Sequence, residues 1–185
     1  RPSLPQGTED TDRVVIYPLS SNVLWNEAPP NTVVRATVGR EGRLVAQTEA
    51  MSTSVGTVVL GLVSNAGGFY FQPDDVLLLQ PLSGAGVRLS IPDIRADLDL
   101  MGNQIVGTSP EDLDITLALD DLDPVSGATV ARPVDVQPVR NGVAFKFPLQ
   151  GLRDSRPGDS AQLRFRSDGV VYRLPVAALS VEARL

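Results

Sequence analysis

The feature that most constrains the fold of this chain is an internal repeat. The segment 24–29 (LWNEAP) recurs at 105–110 (IVGTSP), and in both places an alternating apolar and polar run follows. The turn-like segment 72–75 (QPDD) recurs in the same way at 156–159 (RPGD). A spacing of about 80 residues is too long for one solenoid unit and suits a small β-sandwich. The repeat therefore predicts two tandem domains of the same kind.

Period-2 alternation and turn dipeptides predict that both domains are all-β. Asn141-Gly142 and Asp168-Gly169 each separate two apolar runs, and both dipeptides favour the positive φ angles of type I′ hairpin turns. No segment has apolar residues at helical spacing over a helical length. We expect an extended or flexible arm at 1–12, one sandwich at 13–97 and a second at 98–185.

The strand that follows the arm is the predicted assembly element. Val14, Val15, Ile16 and Tyr17 are adjacent β-forming residues, and Pro18 confines the strand to a sheet edge or makes it end there. Such a strand completes a sheet either in its own domain or in a neighbouring molecule. Addition of this strand to a neighbouring molecule does not form a closed oligomer, so it predicts a homopolymer.

Composition excludes several classes of function. The chain has neither Cys nor His, which removes disulfides, zinc–thiolate sites and Ser-His-Asp or Cys-His catalysis. The net charge of −6 argues against nucleic-acid binding, since phosphate contacts need clustered basic residues. Arg164 and Arg166 alternate with Leu163 and Phe165, which predicts the solvated face of a half-buried strand. No apolar run is long enough for a membrane-spanning helix, and we expect that any signal peptide has been removed.

Two groups of residues are candidate sites, each with an ordinary structural alternative. Asp120, Asp121 and Asp123 form the densest acidic patch, and calcium prefers several oxygen ligands; the alternative is a solvated loop, because Asp is common in turns. Trp25 is the only tryptophan, and it is either a platform for ligand stacking or a core residue. Its repeat equivalent is Val106, which favours the core.

The repeated turns also carry a resemblance. Pro157-Gly158-Asp159, with Pro73-Asp74-Asp75 as a variant lacking the glycine, resembles the proline-glycine-aspartate turn of secreted bacterial immunoglobulin-like modules. The resemblance implies Greek-key β-sandwiches, a location outside the bacterial cell, and a role in display, adhesion or assembly. It implies no catalytic residue and no cofactor.

Two hypotheses of function follow. The first is a non-enzymatic structural or adhesive protein of the bacterial cell surface, which forms a filament or layer through strand addition of its N-terminal segment. The second is a module that binds a surface polysaccharide or another ligand within a larger secreted protein. Its candidate stacking residues are Trp25, Tyr17, Tyr70 and Tyr172.

Overall fold

A computed structural model describes residues 12–64, 67–122, 128–156 and 158–177. The rest of the predicted arm, residues 1–11, lies outside the described residues. The described parts of the chain contain fifteen β-strands and no helix, so the predicted all-β class is confirmed.

The strands follow the predicted repeat. The first set is β1 (Val14–Tyr17), β2 (Asn22–Trp25), β3 (Val33–Arg40), β4 (Arg43–Met51), β5 (Val58–Gly61), β6 (Val76–Pro81) and β7 (Val87–Ser90). The second set is β8 (Arg95–Asp99), β9 (Gln104–Thr108), β10 (Asp114–Leu122), β11 (Thr129–Val134), β12 (Val139–Asn141), β13 (Ala144–Pro148), β14 (Ser160–Ser167) and β15 (Val170–Ala177).

Sheet topology is the same in the two sets of strands. The order β1-β2-β5 recurs as β8-β9-β13, with β12 added at one edge. The order β4-β3-β6-β7 recurs as β11-β10-β14-β15. Each half of the chain thus has the two antiparallel layers of a β-sandwich, which is the architecture that the repeat predicts.

The two halves share one sheet. β1 pairs in parallel with β15, and this pair joins β1-β2-β5 to β11-β10-β14-β15 in a single sheet of seven strands. The predicted boundary at residues 97 and 98 falls inside β8, which pairs with β9 of the second half. The division into two separately folding domains stays a prediction.

Alternation explains which faces are buried. Val34, Ala36 and Val38 of β3 are buried, while Arg35 between them is exposed, as a strand with one core-facing side requires. The inward residues of all three sheets form one hydrophobic cluster that includes Val14, Trp25, Phe147 and Phe165, and this cluster contains strands from both halves.

One of the two predicted hairpin turns differs in detail from expectation. Asp168 and Gly169 both have positive φ, as a type I′ turn requires. In the other hairpin Asn141 is the last residue of β12, and Gly142 is the turn residue with positive φ. The type I′ prediction for Asn141-Gly142 is therefore wrong, because the turn lies one residue later and begins with glycine.

A buried carboxylate holds the first of the repeated turns. Asp75 is 0% exposed, and both of its oxygens accept hydrogen bonds from Arg40, from Nε at 2.8 Å and from Nη2 at 2.9 Å. The backbone N–H of Gln72 also donates to Asp75, at 2.8 Å. The aspartate therefore fixes the turn to the end of β3 just before β6 begins.

The second turn repeats this arrangement. Asp159 accepts from the backbone N–H of Arg156 at 2.8 Å and from the guanidinium of Arg153 at 3.1 Å. Gly158 has a φ of 92°, and its equivalent Asp74 has a φ of 66°. The left-handed backbone is thus retained in the turn that lacks the glycine, since Asp tolerates this region better than most residues.

Candidate functional site

The predicted assembly strand β1 lies in the middle of the seven-stranded sheet. It pairs antiparallel with β2 on one side and parallel with β15 on the other. Val14, Val15 and Ile16 are each 0% exposed. The strand ends at Tyr17, directly before Pro18, as predicted for a proline at a strand end. In the described chain, β1 thus completes a sheet of its own molecule.

The β1–β15 pair joins the two halves of the chain. Val14, Val15 and Ile16 lie opposite Val170, Val171 and Tyr172. These partners are separated by about 156 residues of sequence, so the first strand of the first half is held by the last strand of the second half.

Further contacts hold the start of β1 in place. The N–H of Val14 donates to the carbonyl of Gly169 at 3.1 Å, and the N–H of Asn26 donates to the carbonyl of Arg13 at 2.9 Å. The carboxylate of Asp12 lies 3.0 Å from the guanidinium of Arg166 on β14. The described beginning of the chain is therefore bound both to its own half and to the second half.

A tight turn connects β1 to β2. The N–H of Ser20 donates to the carbonyl of Tyr17 at 3.1 Å, and Ser21 has a φ of 59°. A residue with a Cβ in the left-handed region costs about 1–2 kcal/mol. We call this turn, residues 18–21, the β1–β2 hinge.

The outer face of the long sheet brings together three residues that the sequence did not indicate as neighbours, Arg164, Arg173 and Tyr17. Arg164 of β14 lies directly opposite Arg173 of β15. The guanidinium carbon of Arg173 lies 5.6 Å from the ring centroid of Tyr17, a cation–π contact. The prediction of a solvated face is wrong for Arg164, because its side chain is half-buried and its Nε is enclosed.

Arg164, Arg173 and Tyr17 form a row on the outer face, and burial shifts the pKa of two of them. Desolvation raises the pKa of Tyr17, and the nearby charge of Arg164 partly opposes that rise. Desolvation also lowers the pKa of Arg173. Both shifts follow from the partial burial of these side chains, which lie outside the main hydrophobic cluster.

The acidic patch does not assemble within the described residues. Asp120 accepts hydrogen bonds from Ser160 Oγ at 2.7 Å and from Gln162 Nε2 at 3.4 Å. Asp121 follows it on β10, so it points to the other side, where Arg132 lies 3.8 Å away. Asp123 lies outside the described residues. Across the described ranges no three acidic side chains are grouped as a metal site would need, and calcium stays an untested prediction.

Trp25 is a core residue. Its side chain is 1% exposed on β2, and it belongs to the main hydrophobic cluster. Ligand stacking on Trp25 is therefore a wrong prediction, because no ring face is open to solvent. Tyr172 is buried as well, whereas Tyr70 is exposed. No helix in the described parts of the chain is long and apolar enough to cross a membrane.

Comparison with known proteins gives weak structural similarities only. No protein-family model and no curated protein match the sequence. A chain with the BSP domain of a biofilm-associated protein is 16% identical, with a TM-score of 0.31. The alignment covers 92% of this chain, which spans 29% of that one.

Two further solved structures are similar at the same low level. The CD2-binding domain of CD58 is 10% identical over 91% of this chain and 98% of that one, with a TM-score of 0.27. Domains 3–5 of Drosophila OTK are 14% identical over 95% of this chain and 67% of that one, with a TM-score of 0.26. All these TM-scores are below 0.5, so the fold assignment rests on the strands of this chain.

Proposed function

We propose that this chain is a non-enzymatic structural or adhesive module of the bacterial cell exterior, and that copies join by strand addition of β1. The observation that supports this proposal is the parallel pair between β1 and β15. The pair links two different strands of the chain, so the same contact made between two molecules uses β1 of one copy and β15 of the next, which is a head-to-tail contact. Contacts of that kind add further copies without closing, which produces a filament or a layer.

Exchange of β1 between copies keeps the apolar contacts of this strand. When β1 of one copy replaces β1 of another, Val14, Val15 and Ile16 enter the same buried positions, so no apolar contact is lost. The free-energy cost of the exchange comes from rearranging the β1–β2 hinge and from the association of two molecules. Opening the hinge also releases the left-handed conformation of Ser21, and short strained hinges favour domain swapping.

Cross-linking of single-cysteine variants tests the exchange, because the chain has no cysteine of its own. Val15→Cys and Val171→Cys are placed in separate molecules, which are unfolded together, refolded at high concentration and oxidised. Val15 and Val171 are partners across neighbouring strands, where Cα atoms lie within the range that a disulfide spans. We expect disulfide-linked heterodimers and a matching increase in particle size by size exclusion and electron microscopy.

A second pair of variants identifies the segment that moves. Val15 also lies opposite Leu24 of β2. If β1 alone is exchanged, a mixture of Val15→Cys and Leu24→Cys forms heterodimers too. If the molecule instead opens between β7 and β8, Val15 and Leu24 stay in one chain and do not cross-link between molecules. Monomers without cross-links in both mixtures would contradict the proposal.

A second candidate function is a ligand-binding module within a larger secreted protein. The row formed by Arg164, Arg173 and Tyr17 on the outer face favours it. Trp25 takes no part, since it is buried.

A further inference from the structure

The β4-β3-β6-β7 sheet carries a row of adjacent apolar side chains at one end of its outer face. Val34 of β3 is buried, so its neighbour Val33 points outwards. Met51 of β4 lies directly opposite Val33, and Leu82, just after β6, donates its N–H to the carbonyl of Val33 at 3.0 Å. Side chains of directly opposite residues on one face of a sheet contact each other. Met51, Val33 and Leu82 therefore form one continuous surface, which we call the apolar patch.

The outer members of the apolar patch are largely open to solvent. Met51 is 67% exposed and Leu82 is 77% exposed, while Val33 lies half-buried between them. Val55, in the loop after β4, is 80% exposed. Single exposed apolar residues are ordinary on protein surfaces, but adjacent ones usually mark a site of interaction. The apolar patch is therefore a candidate interface.

Hydrogen bonds hold the loops that border the patch in fixed positions. The N–H of Asn31 donates to the carbonyl of Thr53 at 3.1 Å, and the N–H of Ala28 donates to the carbonyl of Gly56 at 2.9 Å. These bonds join the β2–β3 loop to the β4–β5 loop, as the N–H of Leu82 joins the β6–β7 loop to β3. A surface that is already ordered loses little conformational entropy when it binds a partner.

No charged residue occurs in the apolar patch or in the bordering loop segments 28–32, 52–57 and 82–86. Elsewhere charges are frequent, since 21% of the residues are charged and the net charge is −6. Copies of an acidic chain repel each other, and this repulsion is weakest between uncharged surfaces. The lack of Lys and Arg here also disfavours an anionic membrane, which attracts basic segments. This charge distribution favours a second copy of the chain as the partner.

Opposite charges border the patch in the next row of the sheet. Arg35 of β3 lies opposite Glu49 of β4, and their side chains form an ion pair at 2.6 Å. Both side chains are at least half exposed, and a guanidinium and a carboxylate can each take several hydrogen-bond partners. Interfaces commonly have an apolar centre and a polar rim, and these two rows have that order.

We propose that two copies of the chain associate through the apolar patch, each presenting the same surface to the other. In such an isologous contact Val33, the middle residue of the patch, lies nearest the two-fold axis. Arg35 of each copy then pairs with Glu49 of the other copy, so the rim adds attraction rather than repulsion. The contact closes at two copies and does not involve β1, so this proposal goes beyond strand addition.

Sedimentation equilibrium of the full chain, purified without unfolding, tests the proposal. The patch is small beside a standard interface of about 800 Å² per partner, so we expect a dissociation constant on the order of 100 μM. The mean mass should therefore rise from one copy towards two between about 20 μM and about 1 mM protein. Because the centre of the contact is apolar, added salt should not dissociate the dimer.

Leu82→Asp should weaken the association by about tenfold or more, because two like charges then meet in an apolar contact. The matched control is Leu44→Asp, which makes the same change in charge at a side chain that is 60% exposed. Leu44 and Met51 lie near opposite ends of β4, about 23 Å apart at the rise of an extended strand. We expect the control to dimerise like the unmodified protein.

Several outcomes would overturn the proposal. They are a monomer over the whole concentration range, equal dimerisation of Leu82→Asp, and a mean mass that passes beyond two copies. Binding to neutral phosphatidylcholine vesicles without dimerisation would assign the patch to a lipid surface and would also overturn it. If Leu82→Asp does not fold, as judged by circular dichroism, Met51→Asp gives the same test. The outcome is separate from that of the cross-linking of Val15→Cys and Val171→Cys, which requires unfolding and does not involve the patch.

Discussion

The buried ion pair of the first repeated turn allows a quantitative prediction. Arg40→Met removes the guanidinium but keeps an apolar stem of similar length. The carboxylate of Asp75, which is 0% exposed, then loses two hydrogen bonds of 2.8 and 2.9 Å, and among the described residues it keeps only the bond from the N–H of Gln72. Breaking a buried pair by removing one partner costs about 3–5 kcal/mol. Since Arg40 is 30% exposed, water partly replaces it, and we expect the lower value of about 3 kcal/mol.

The matched control is Arg35→Met on the same strand. Arg35 also pairs with a carboxylate, that of Glu49 at 2.6 Å, but both side chains are at least half exposed. Exposed pairs contribute about 0–1 kcal/mol. Urea denaturation followed by the fluorescence of the single buried tryptophan, Trp25, measures both free energies of unfolding. If Arg40→Met and Arg35→Met differ by less than about 1 kcal/mol, the buried pair does not hold the turn as argued.

Two further predictions concern packing and ionisation. A Cβ at Gly107 would overlap the carbonyl oxygen of Arg95, so Gly107→Ala should lower the free energy of unfolding by about 1–3 kcal/mol. At Gly68 no atom of the described residues lies within 4 Å of an added Cβ, so Gly68→Ala should change it by less than about 0.5 kcal/mol. Equal effects in urea denaturation would refute the packing argument. Burial raises the pKa of Tyr172 to about 12, above the value near 10 of an unfolded chain, so its contribution is intact below pH 10 and is lost between about pH 10 and 12. By pH 11 the share of the loss that comes from Tyr172 is about 1.4 kcal/mol, so the loss should be smaller by that amount in Tyr172→Phe and unchanged in Tyr70→Phe, whose ring is exposed.

Local signals in the sequence predicted much of the fold. The repeat predicted two β-sandwiches of the same kind, and the strand orders of the two halves match. The aspartate turns were placed correctly before β6 and β14. The turn at Asp168-Gly169 even determines that Arg164 faces Arg173, since a two-residue hairpin fixes the register of its strands. The contact between Arg164 and Arg173 was missed because Arg164 was considered on its own strand and not across the hairpin.

The β1–β15 pair was not predicted, and the reason is physical. Alternation shows which face of a strand is buried, but it does not identify a parallel partner about 156 residues away. A weaker signal was present, however. Val14 to Ile16 and Val170 to Tyr172 are apolar runs without alternation, and such runs are typical of strands buried on both faces. Both strands are central in the sheet, and Val15 and Val171 on its outer face are buried as well.

The pairing of β1 with β15 is the claim on which the proposed assembly depends, and one variant tests it directly. Val15→Cys/Val171→Cys places both cysteines in one chain, and peptide mapping by mass spectrometry after oxidation identifies the linked residues. We predict a nearly complete disulfide between positions 15 and 171, within one chain in monomers and between chains in assembled material. Two free thiols in the folded, oxidised protein would contradict the account.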